Sequence, residues 1–325
     1  TIGKIDIGLL NRIIIDDVLL DDQSGKEMLK ITRLSAKFDI IPLFNGKITI
    51  SSVQLFGFNI NLNKPAPHME PNFKFVLDAF ASKDTVKTKK DIDLRINSIL
   101  IRRGKLSYDV LSEEETPGKF NPQHIKLHNI IANISLKALQ NDSVNAAIKR
   151  LSVDEQSGFE LRKLSLKVIA NNKGMKIENF AIEMPGTEMK MDTIRMEYDS
   201  LKALNHFADN VRFSFRTLPS HVTLNDISAF VPALSNFKEK LDLNIDVEGT
   251  LNQLNCRTLE INAGDKFRLK GDVSLQDLSR PQDAYVYGHL ANLSANKEGI
   301  GFLVRNLSPH YNGVPPVLQH LGNTS

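Results

Sequence analysis

Histidines, paired aspartates and a single cysteine are the residues of this chain whose types could support chemistry. His124 and His128 are four residues apart, and two imidazoles that share one face of a sheet can bind zinc. A polar gap in the surrounding apolar pattern predicts a backbone kink at His128-Asn129, which disfavours a shared face. The spacing therefore favours solvent-facing histidines, with a zinc pair as the alternative.

Two aspartate pairs resemble calcium ligands in type but not in spacing. Asp16-Asp17 and Asp21-Asp22 lack the Asp-x-Asp-x-Asp-Gly spacing of a calcium-binding loop. The stretch 22–25, Asp-Gln-Ser-Gly, has the composition of a hairpin turn, because aspartate bonds to nearby backbone and glycine accepts a positive φ. We therefore expect turn chemistry here rather than a calcium site.

The remaining reactive side chains have ordinary structural interpretations. Glu113-Glu114-Glu115 precedes a Pro-Gly pair, which predicts a solvated charge run in a loop. Cys256 occupies a position of the apolar pattern, which predicts a small buried side chain rather than a nucleophile. A single cysteine also excludes an internal disulfide and a cysteine-cluster metal site.

Sequence motifs of catalysis are missing from the chain. It has no Gly-x-Ser-x-Gly elbow, no phosphate-binding glycine loop and no His-Glu-x-x-His. Lys plus Arg number 41 and Asp plus Glu number 38, a net charge of +3 that is too balanced to predict a nucleic-acid partner. We therefore expect a protein that is not an enzyme, uses no cofactor or metal and binds no nucleic acid.

The dominant pattern of the chain is alternation of apolar and polar residues with a period of two. Leu241, Leu243, Ile245 and Val247 are one example, with Asp, Asn and Asp between them. Successive side chains of a strand point to opposite faces, so such alternation predicts strands with one apolar and one polar face. We therefore expect a mainly β fold with antiparallel strands.

A finer unit recurs within this alternation: two apolar residues, a gap of two polar residues, and two more apolar residues (Φ-x-Φ-x-x-Φ-x-Φ). A step of three residues would move the second apolar pair to the polar face of a regular strand. We therefore predict a bulge or bend at each gap, which would curve the sheet. The nine copies begin at Ile13, Leu29, Ile48, Leu94, Ile125, Phe159, Met175, Met189 and Leu254.

Helical spacing appears in only a few segments. An i, i+3, i+4, i+7 pattern predicts an amphipathic helix over 73–80, and weaker patterns predict a short helix over 201–208 and another over 227–237. Pro232 would lie in the first turn of that third helix or kink it. The stretch 299–322 predicts loop with short helices.

A set of apolar residues and glycines carries a likeness to a known family. The stretches concerned are Ile5-Asp6-Ile7-Gly8-Leu9-Leu10, Ile13 to Leu20, Gly25, Leu29-x-Ile31-x-x-Leu34, Leu43-Phe44-Asn45-Gly46-Lys47-Ile48, Ile50-x-x-Val53-x-Leu55-x-Gly57-x-x-Ile60, Asp226 through Phe230-Val231-Pro232, Leu241 to Gly249, Phe267-x-Leu269-x-Gly271 and Val314-Pro315-Pro316-Val317-Leu318-x-x-Leu321-Gly322. They resemble AsmA/TamB proteins, and the overall sequence pattern is similar to that of a Bacteroidetes-type TamB. The resemblance covers most of the chain.

The resemblance implies a fold and a function. The fold is a long, curved antiparallel β-sheet that forms an open apolar groove, with a few short amphipathic helices. The function is a periplasmic hydrophobic conduit for phospholipid between the inner and outer membranes, which supports outer-membrane biogenesis. An inner-membrane anchor and a carboxy-terminal domain that meets an outer-membrane barrel are expected outside residues 1–325, within which 1–82, 91–215 and 216–325 are suggested sub-modules.

If the groove is present, phospholipid acyl chains would lie along the apolar positions of the strands. The alternative is a β-rich structural or protein-interaction scaffold with a closed core, in which a second protein layer covers the same side chains. The predicted groove-lining residues are Ile48, Ile50, Val53, Leu55, Phe58, Ile60, Leu94, Ile96, Ile99, Ile101, Ile125, Leu127, Ile130, Leu161, Leu164, Leu166, Ile177, Phe180, Ile182, Phe213, Phe215, Leu243, Ile245 and Leu269.

Overall fold

Strands dominate the protein, as the alternation predicts. A computed structural model describes residues 1–8, 11–39, 48–81, 92–93, 96–140, 143–280 and 282–307. It is 62% strand and 11% helical, which confirms the mainly β prediction. The chain forms two compact units: unit 1 comprises residues 1–138 and 147–161, and unit 2 comprises 139–146 and 162–325. The division into three sub-modules stays a prediction.

Unit 1 is built from strands that mostly pair antiparallel. They are β1 (Ile2–Gly8), β2 (Arg12–Asp21), β3 (Glu27–Phe38), β4 (Ile48–Lys64), β5 (Ile92–Asp93), β6 (Ser98–Val110), β7 (His124–Gln140) and β8 (Ser143–Glu155), with the end of β7 and the start of β8 in unit 2. β1, β2, β3 and β4 pair antiparallel in that order. β7 pairs antiparallel with β6.

Among the described pairings of unit 1, the departure from antiparallel pairing follows β4. Both β5 and β6 pair parallel with β4. Parallel neighbours require a connection that returns the chain to the same end of the sheet, and such connections commonly carry a helix. Helix α1 (Lys74–Ala81) lies in this connection, which confirms the amphipathic helix predicted over 73–80.

Unit 2 is an antiparallel meander. Its strands are β9 (Glu160–Ala170, whose first two residues fall in unit 1), β10 (Gly174–Glu183), β11 (Glu188–Glu197), β12 (Arg212–Thr217), β13 (Ser220–Val222), β14 (Leu241–Thr250), β15 (Gln253–Ala263), β16 (Phe267–Gln276) and β17 (Tyr285–Ala295). Each pairs antiparallel with the next, except that β12 and β13 share one place between β11 and β14.

The helical segments of unit 2 are short. A 3-10 turn at Leu201–His206 continues into α2 (Phe207–Asn210), where a short helix was expected. The helix predicted over 227–237 is wrong, because the segment holds only 3-10 turns, at Leu224–Ile227 and Pro232–Leu234. Pro232 has no amide hydrogen to continue a preceding turn, so it begins a new one. The helix expected within 299–322 is α3 (Lys297–Leu307), and residues 308–322 lie outside the described part.

Residues with irregular backbone form a row across unit 1. Asp17, Arg103 and Asn129 have φ values of 56°, 58° and 54°, and Gly57 has a φ of 65°. In the registers of β3 with β2 and with β4, Thr32 of β3 lies between Asp17 of β2 and Gly57 of β4. The Thr32 hydroxyl donates to the Gly57 carbonyl oxygen at 3.1 Å. Gly57 lies beside Arg103, and the β6–β7 register shifts where Asn129 lies. We call these five residues the unit 1 crease.

A corresponding row crosses unit 2. Asn179 has a φ of 54°, and the β9–β10 register shifts around it. The β11–β12 register shifts at Asp192-Thr193, and the pairings of β15 shift at Arg257. On β17 the shift falls at Ala291. We call Asn179, Asp192, Thr193, Arg257 and Ala291 the unit 2 crease.

Six of the nine predicted gaps carry a register shift or a left-handed residue, which confirms the predicted bulge or bend there: Asp16-Asp17, Ser51-Ser52, His128-Asn129, Glu178-Asn179, Asp192-Thr193 and Arg257-Thr258. At Thr32-Arg33 the prediction is wrong, because both registers of β3 are regular there. At Arg162-Lys163 it stays a prediction. An extra or left-handed residue bends a strand and lets the following apolar side chain return to the original face. Asn97-Ser98 is an exception, because β6 begins at Ser98 and the gap lies at the strand end.

The left-handed residue Asn179 tests the crease. We expect Asn179→Val to lower the free energy of unfolding by roughly 1–2 kcal/mol, because a β-branched side chain is strained at a φ of 54°. Asn179→Gly should change it by less than about 0.5 kcal/mol, since glycine adopts this conformation freely. Urea unfolding of both variants measures the difference, and equal stabilities would contradict the assignment.

A glycine of β6 tests packing across the sheet. A Cβ added at Gly104 would lie 2.5 Å from Phe58 Cε1 and 3.0 Å from Ile130 Cβ. We expect Gly104→Ala to destabilise the protein by roughly 1–3 kcal/mol in urea unfolding, as overpacking does. Phe58→Leu in the same chain should recover part of this loss, because the shorter side chain makes room.

Gly288→Ala is the matched control for that experiment. Gly288 is also a strand glycine, and its added Cβ would meet its nearest atom, Val273 Cγ2, at 3.4 Å. The free energy of unfolding of Gly288→Ala should therefore stay within about 0.5 kcal/mol of that of the parent protein. A Gly104→Ala variant as stable as Gly288→Ala would contradict the packing described here.

Candidate functional site

The apolar positions of the repeat form the candidate site. We call the side of each sheet that carries these side chains the apolar face. In unit 1, Leu34, Leu55, Ile101 and Ala132 are successive partners across β3, β4, β6 and β7. In unit 2 the corresponding series across β10, β11, β12, β14, β15 and β16 is Ile177, Ile194, Phe215, Val247, Cys256 and Val273.

Burial of the predicted groove-lining residues is incomplete. Of the twenty-four residues, Leu94 and the side chain of Ile48 lie outside the described part, and Phe58 and Leu161 are buried. The other twenty are half-buried, and none is fully exposed. Neighbouring strands therefore shield these side chains laterally, but the described residues leave part of each side chain open to solvent.

One region of the apolar face is covered by the chain itself. Leu241, Ala263 and Phe267 form a buried cluster in unit 2, and the predicted groove residues Leu243 and Leu269 pack against it. Phe302 of α3 is buried and meets Phe237 edge-to-face, with ring centroids 5.7 Å apart. Helix α3 starts against the β15–β16 turn, where an added Cβ at position 299 would lie 3.4 Å from the Cβ of Phe267.

Helix α2 contacts the apolar face at a second place. Its first residue, Phe207, stacks on Phe213 with ring centroids 6.0 Å apart, and Phe213 stacks on Phe215 at 6.4 Å. Phe213 and Phe215 are both half-buried. The short helices of unit 2 therefore cover local parts of the face.

The polar faces of the sheets carry cross-strand ion pairs. Arg33 Nε lies 2.7 Å from Asp16 Oδ1 beside the unit 1 crease, and Arg216 Nε donates to Asp246 at 3.1 Å beside the unit 2 crease. Glu178 accepts from Lys167 and Lys176, and these bonds lower its pKa to about 2. Opposite charges are thus paired on this side, both between neighbouring strands, as in Lys167–Glu178, and within one strand, as in Lys176–Glu178.

His124 does not face solvent, so that part of the sequence prediction is wrong. Its side chain is only about 6% exposed, because the loop after β6 folds over the first residue of β7. Its Nδ1 lies 3.0 Å from Asp109 Oδ1, and its Nε2 lies 3.0 Å from the Glu113 carbonyl oxygen. His128 is half-buried and does not join this group.

The ligand atoms of Asp109, Glu115 and His124 lie within 4.8 Å of one another, which raises the zinc alternative again. Each already has a protein partner: Glu115 accepts from Lys126 at 2.9 Å, and His124 lies between two acceptors. Only an imidazolium can donate to both acceptors. The hydrogen bond to Asp109 accordingly raises the pKa of His124, against the opposing effect of burial. The cluster is an ion network that anchors the loop to the sheet.

The other chemical candidates have structural roles. Asp22 accepts from the Ser24 amide at 2.8 Å and from the Lys26 amide at 3.0 Å, which confirms the predicted turn. Cys256 is buried, as predicted, and burial raises the pKa of its thiol. A raised thiol pKa disfavours the reactive thiolate at neutral pH.

A scan against protein-family models and a search of curated proteins each returned no match. Among the described helices, none combines the length and apolar character that crossing a bilayer requires.

The His124 network predicts a pH-dependent stability. Because the pKa of His124 is raised in the folded state, its contribution is complete below the ordinary value of 6.5 and is lost as pH rises through the folded-state pKa. We expect His124→Gln to cost roughly 2 kcal/mol in urea unfolding at pH 5.5. At pH 8.5 the cost should be smaller.

Asp109→Asn provides the control for this prediction. Removing the carboxylate beside Nδ1 removes the main cause of the raised pKa. In that background the pH dependence of the His124→Gln effect should shrink or disappear. A cost of His124→Gln that is the same at both pH values in the parent protein would refute the imidazolium assignment.

Proposed function

We propose that this chain is part of a periplasmic, AsmA/TamB-like protein that conducts phospholipid between the inner and outer membranes. The observation that carries the proposal is the incomplete burial of twenty predicted groove-lining side chains. Exposed apolar surface costs about 25 cal/mol per Å². A face that the protein's own strands leave half-open is therefore available to an apolar ligand.

The form of the face favours acyl chains over a compact ligand. Its apolar side chains recur from strand to strand, and successive strands lie about 4.8 Å apart. In unit 2 such a series of half-buried side chains runs through Ile177 on β10, Ile194 on β11 and Phe215 on β12. It continues into the buried Val247 and Cys256. A continuous apolar strip of this kind suits a long, flexible hydrocarbon chain.

The proposed mechanism is passive conduction. Each buried methylene group of a lipid gains about 0.8 kcal/mol, and it gains a similar amount at every place along a uniform strip. Lipid would be retained by the strip and yet slide along it, with its head group in water. This process needs no bond-making residue and no bound nucleotide. The inner-membrane anchor and the outer-membrane barrel partner rest on the family resemblance alone.

A closed-core scaffold is the second candidate. The cluster of Leu241, Ala263 and Phe267, with α3 beside it, resembles the start of a sealed core. This cover favours a scaffold only for the last strands of unit 2. The half-buried residues of unit 1 and of β10 to β12 favour the conduit.

A charge on the apolar face distinguishes the two candidates. Ile130 and Asn133 lie on β7, and their positions in the alternation place them on opposite faces. We expect Ile130→Asp to remain folded, because the side chain is half-buried, and to lose most co-purifying phospholipid in native mass spectrometry. Asn133→Asp adds the same charge to the polar face and should keep the lipid.

Two results would refute the conduit. One is parent protein that carries no phospholipid after purification from membrane-containing lysate and binds none from vesicles. The other is unfolding of Ile130→Asp at 25 °C while Asn133→Asp stays folded, as expected of a sealed core. Circular dichroism of both variants measures the folded state independently of lipid.

A further inference from the structure

The polar face of unit 1 carries a group of neighbouring cationic side chains. Two of them, Lys30 on β3 and Lys105 on β6, are partners of the same residue, Asn59 on β4. Neighbouring strands lie about 4.8 Å apart, so these two positions are about 10 Å from each other. Three further cations lie on the same strands. We call the five residues the basic cluster: Lys30, Arg33, Arg102, Arg103 and Lys105.

An aromatic ring lies in the middle of the basic cluster. Phe56 on β4 is the partner of Arg33 on one side and of Arg102 on the other. It follows Leu55 of the apolar face, so its ring lies on the opposite, polar face. The guanidinium carbon of Arg103 lies 5.3 Å from the centre of this ring, which is a cation–π contact. The ring is nevertheless 39% exposed to solvent.

Acidic partners are scarce around these cations. Asp16 accepts two hydrogen bonds from Arg33, at 2.7 and 3.1 Å. The other four cations are exposed, and among the described residues no carboxylate lies within 4.0 Å of their nitrogens. Asp154, an acid beside the unit 1 crease, accepts instead from the Asn129 amide at 2.6 Å. The basic cluster therefore presents four cations that the described carboxylates do not pair.

The polar face of unit 2 shows the more usual arrangement. Lys163 pairs there with Glu183 at 2.8 Å, and Lys270 pairs with Glu260 at 2.6 Å, each across neighbouring strands. Opposite charges across strands stabilise a sheet, whereas like charges destabilise it. The basic cluster is therefore a locally unfavourable arrangement that a bound anionic surface would relieve.

We propose that the basic cluster docks on the head-group surface of a bilayer that contains anionic phospholipid. Exposed cations spread over three strands match a surface of many separate phosphates better than one small anion. Each Lys or Arg near such a surface strengthens binding by roughly fivefold. The inference concerns the polar face and does not depend on lipid in the groove.

The exposed ring favours a bilayer over an acidic polypeptide as the partner. A bilayer offers anions at its surface and an apolar layer directly beneath them. Surfaces that combine basic and apolar side chains bind at this boundary, because the cations meet the head groups while the apolar side chains enter the layer below. Phe56, surrounded by cations, is placed to make this second contact. An acidic polypeptide would need a matching apolar pocket at the same position.

Removing charge from the basic cluster tests the contact. Parent protein should sediment with phosphatidylcholine vesicles that contain about 30 mol% phosphatidylglycerol, and far less with phosphatidylcholine alone, because only the first surface is anionic. The triple variant Arg102→Gln, Arg103→Gln, Lys105→Gln should bind the anionic vesicles roughly 100-fold more weakly, since three such contributions multiply. Salt of about 0.5 M should also weaken binding of the parent protein, because ions screen exposed charges.

A charge-matched control removes three exposed cations outside the basic cluster, with Lys119→Gln, Lys202→Gln and Lys240→Gln. Both triple variants lower the formal net charge from +3 to 0, so they differ in where the charge is lost. The control should stay within about threefold of the parent protein, because charges more than a Debye length away are screened. Equal losses in the two variants, or a parent protein that does not bind anionic vesicles at low salt, would overturn the proposal.

Tryptophan fluorescence tests the position of the ring. The chain contains no tryptophan, so Phe56→Trp introduces a single fluorophore into the basic cluster. Its emission should shift to shorter wavelength by about 5–10 nm when anionic vesicles are added, as the ring leaves water. Tyr287→Trp, at a position on β17 that is 63% exposed, is the matched control and should shift much less. An unchanged Phe56→Trp spectrum, or an equal shift in both variants, would overturn the proposed contact.

Two further measurements separate this contact from other anions and from the groove. Polyglutamate at the same concentration of negative charge should compete poorly with the vesicles, and a parent protein that binds polyglutamate but not vesicles would overturn the bilayer in favour of an acidic polypeptide. Native mass spectrometry should find co-purifying phospholipid retained in the Arg102→Gln, Arg103→Gln, Lys105→Gln variant, because its apolar face is unchanged. Loss of vesicle binding with lipid retained, and the reverse, are therefore distinct results.

Discussion

Keeping apolar side chains on one face across a two-residue polar gap is the constraint on which the rest of this structure depends. A regular strand cannot meet it, because a step of three residues reverses the face. The chain meets it with left-handed residues such as Asp17, Arg103 and Asn179, and with extra residues such as Arg257. These irregular residues lie beside one another on neighbouring strands. Together they form a crease across each unit.

The two faces of the sheet differ in the side chains that they carry on either side of the creases. Polar gap residues and their neighbours bring ion pairs such as Arg33–Asp16 and Arg216–Asp246 to the polar side. The apolar side keeps branched and aromatic residues in series, shielded laterally by neighbouring strands. Lateral shielding alone leaves a side chain half-buried, because its outward end still needs a layer above it. The short helices α2 and α3 supply such a layer only locally, which is why an apolar ligand is the proposed occupant elsewhere.

The loop after β6 shows how tertiary contacts change the meaning of a sequence motif. Three consecutive glutamates predicted a solvated run, and Glu114 and Glu115 are indeed exposed. The same loop also contacts the sheet, because the Glu113 carbonyl oxygen accepts from His124 and Glu115 pairs with Lys126. The sequence contained a weak signal for this arrangement, since acidic residues precede a histidine at the start of a strand. It contained no signal that Asp109, on the preceding strand, would face the imidazole, because that depends on the register of β6 and β7.

The strand content, the two-faced character of the strands, the positions of most bulges and the first helix were determined by the sequence alone, because each follows from the spacing of apolar residues along a few neighbouring positions. The parallel β4–β6 pair, the alignment of the bulges into creases and the burial of His124 were decided only by the tertiary structure. Each of these depends on which distant residues become neighbours, and a repeated apolar pattern allows many strand orders and registers with the same local fit. The helix predicted over 227–237 was wrong for a related reason. The apolar spacing suited a helix, but Pro232 and the β14 strand that follows leave room only for short turns.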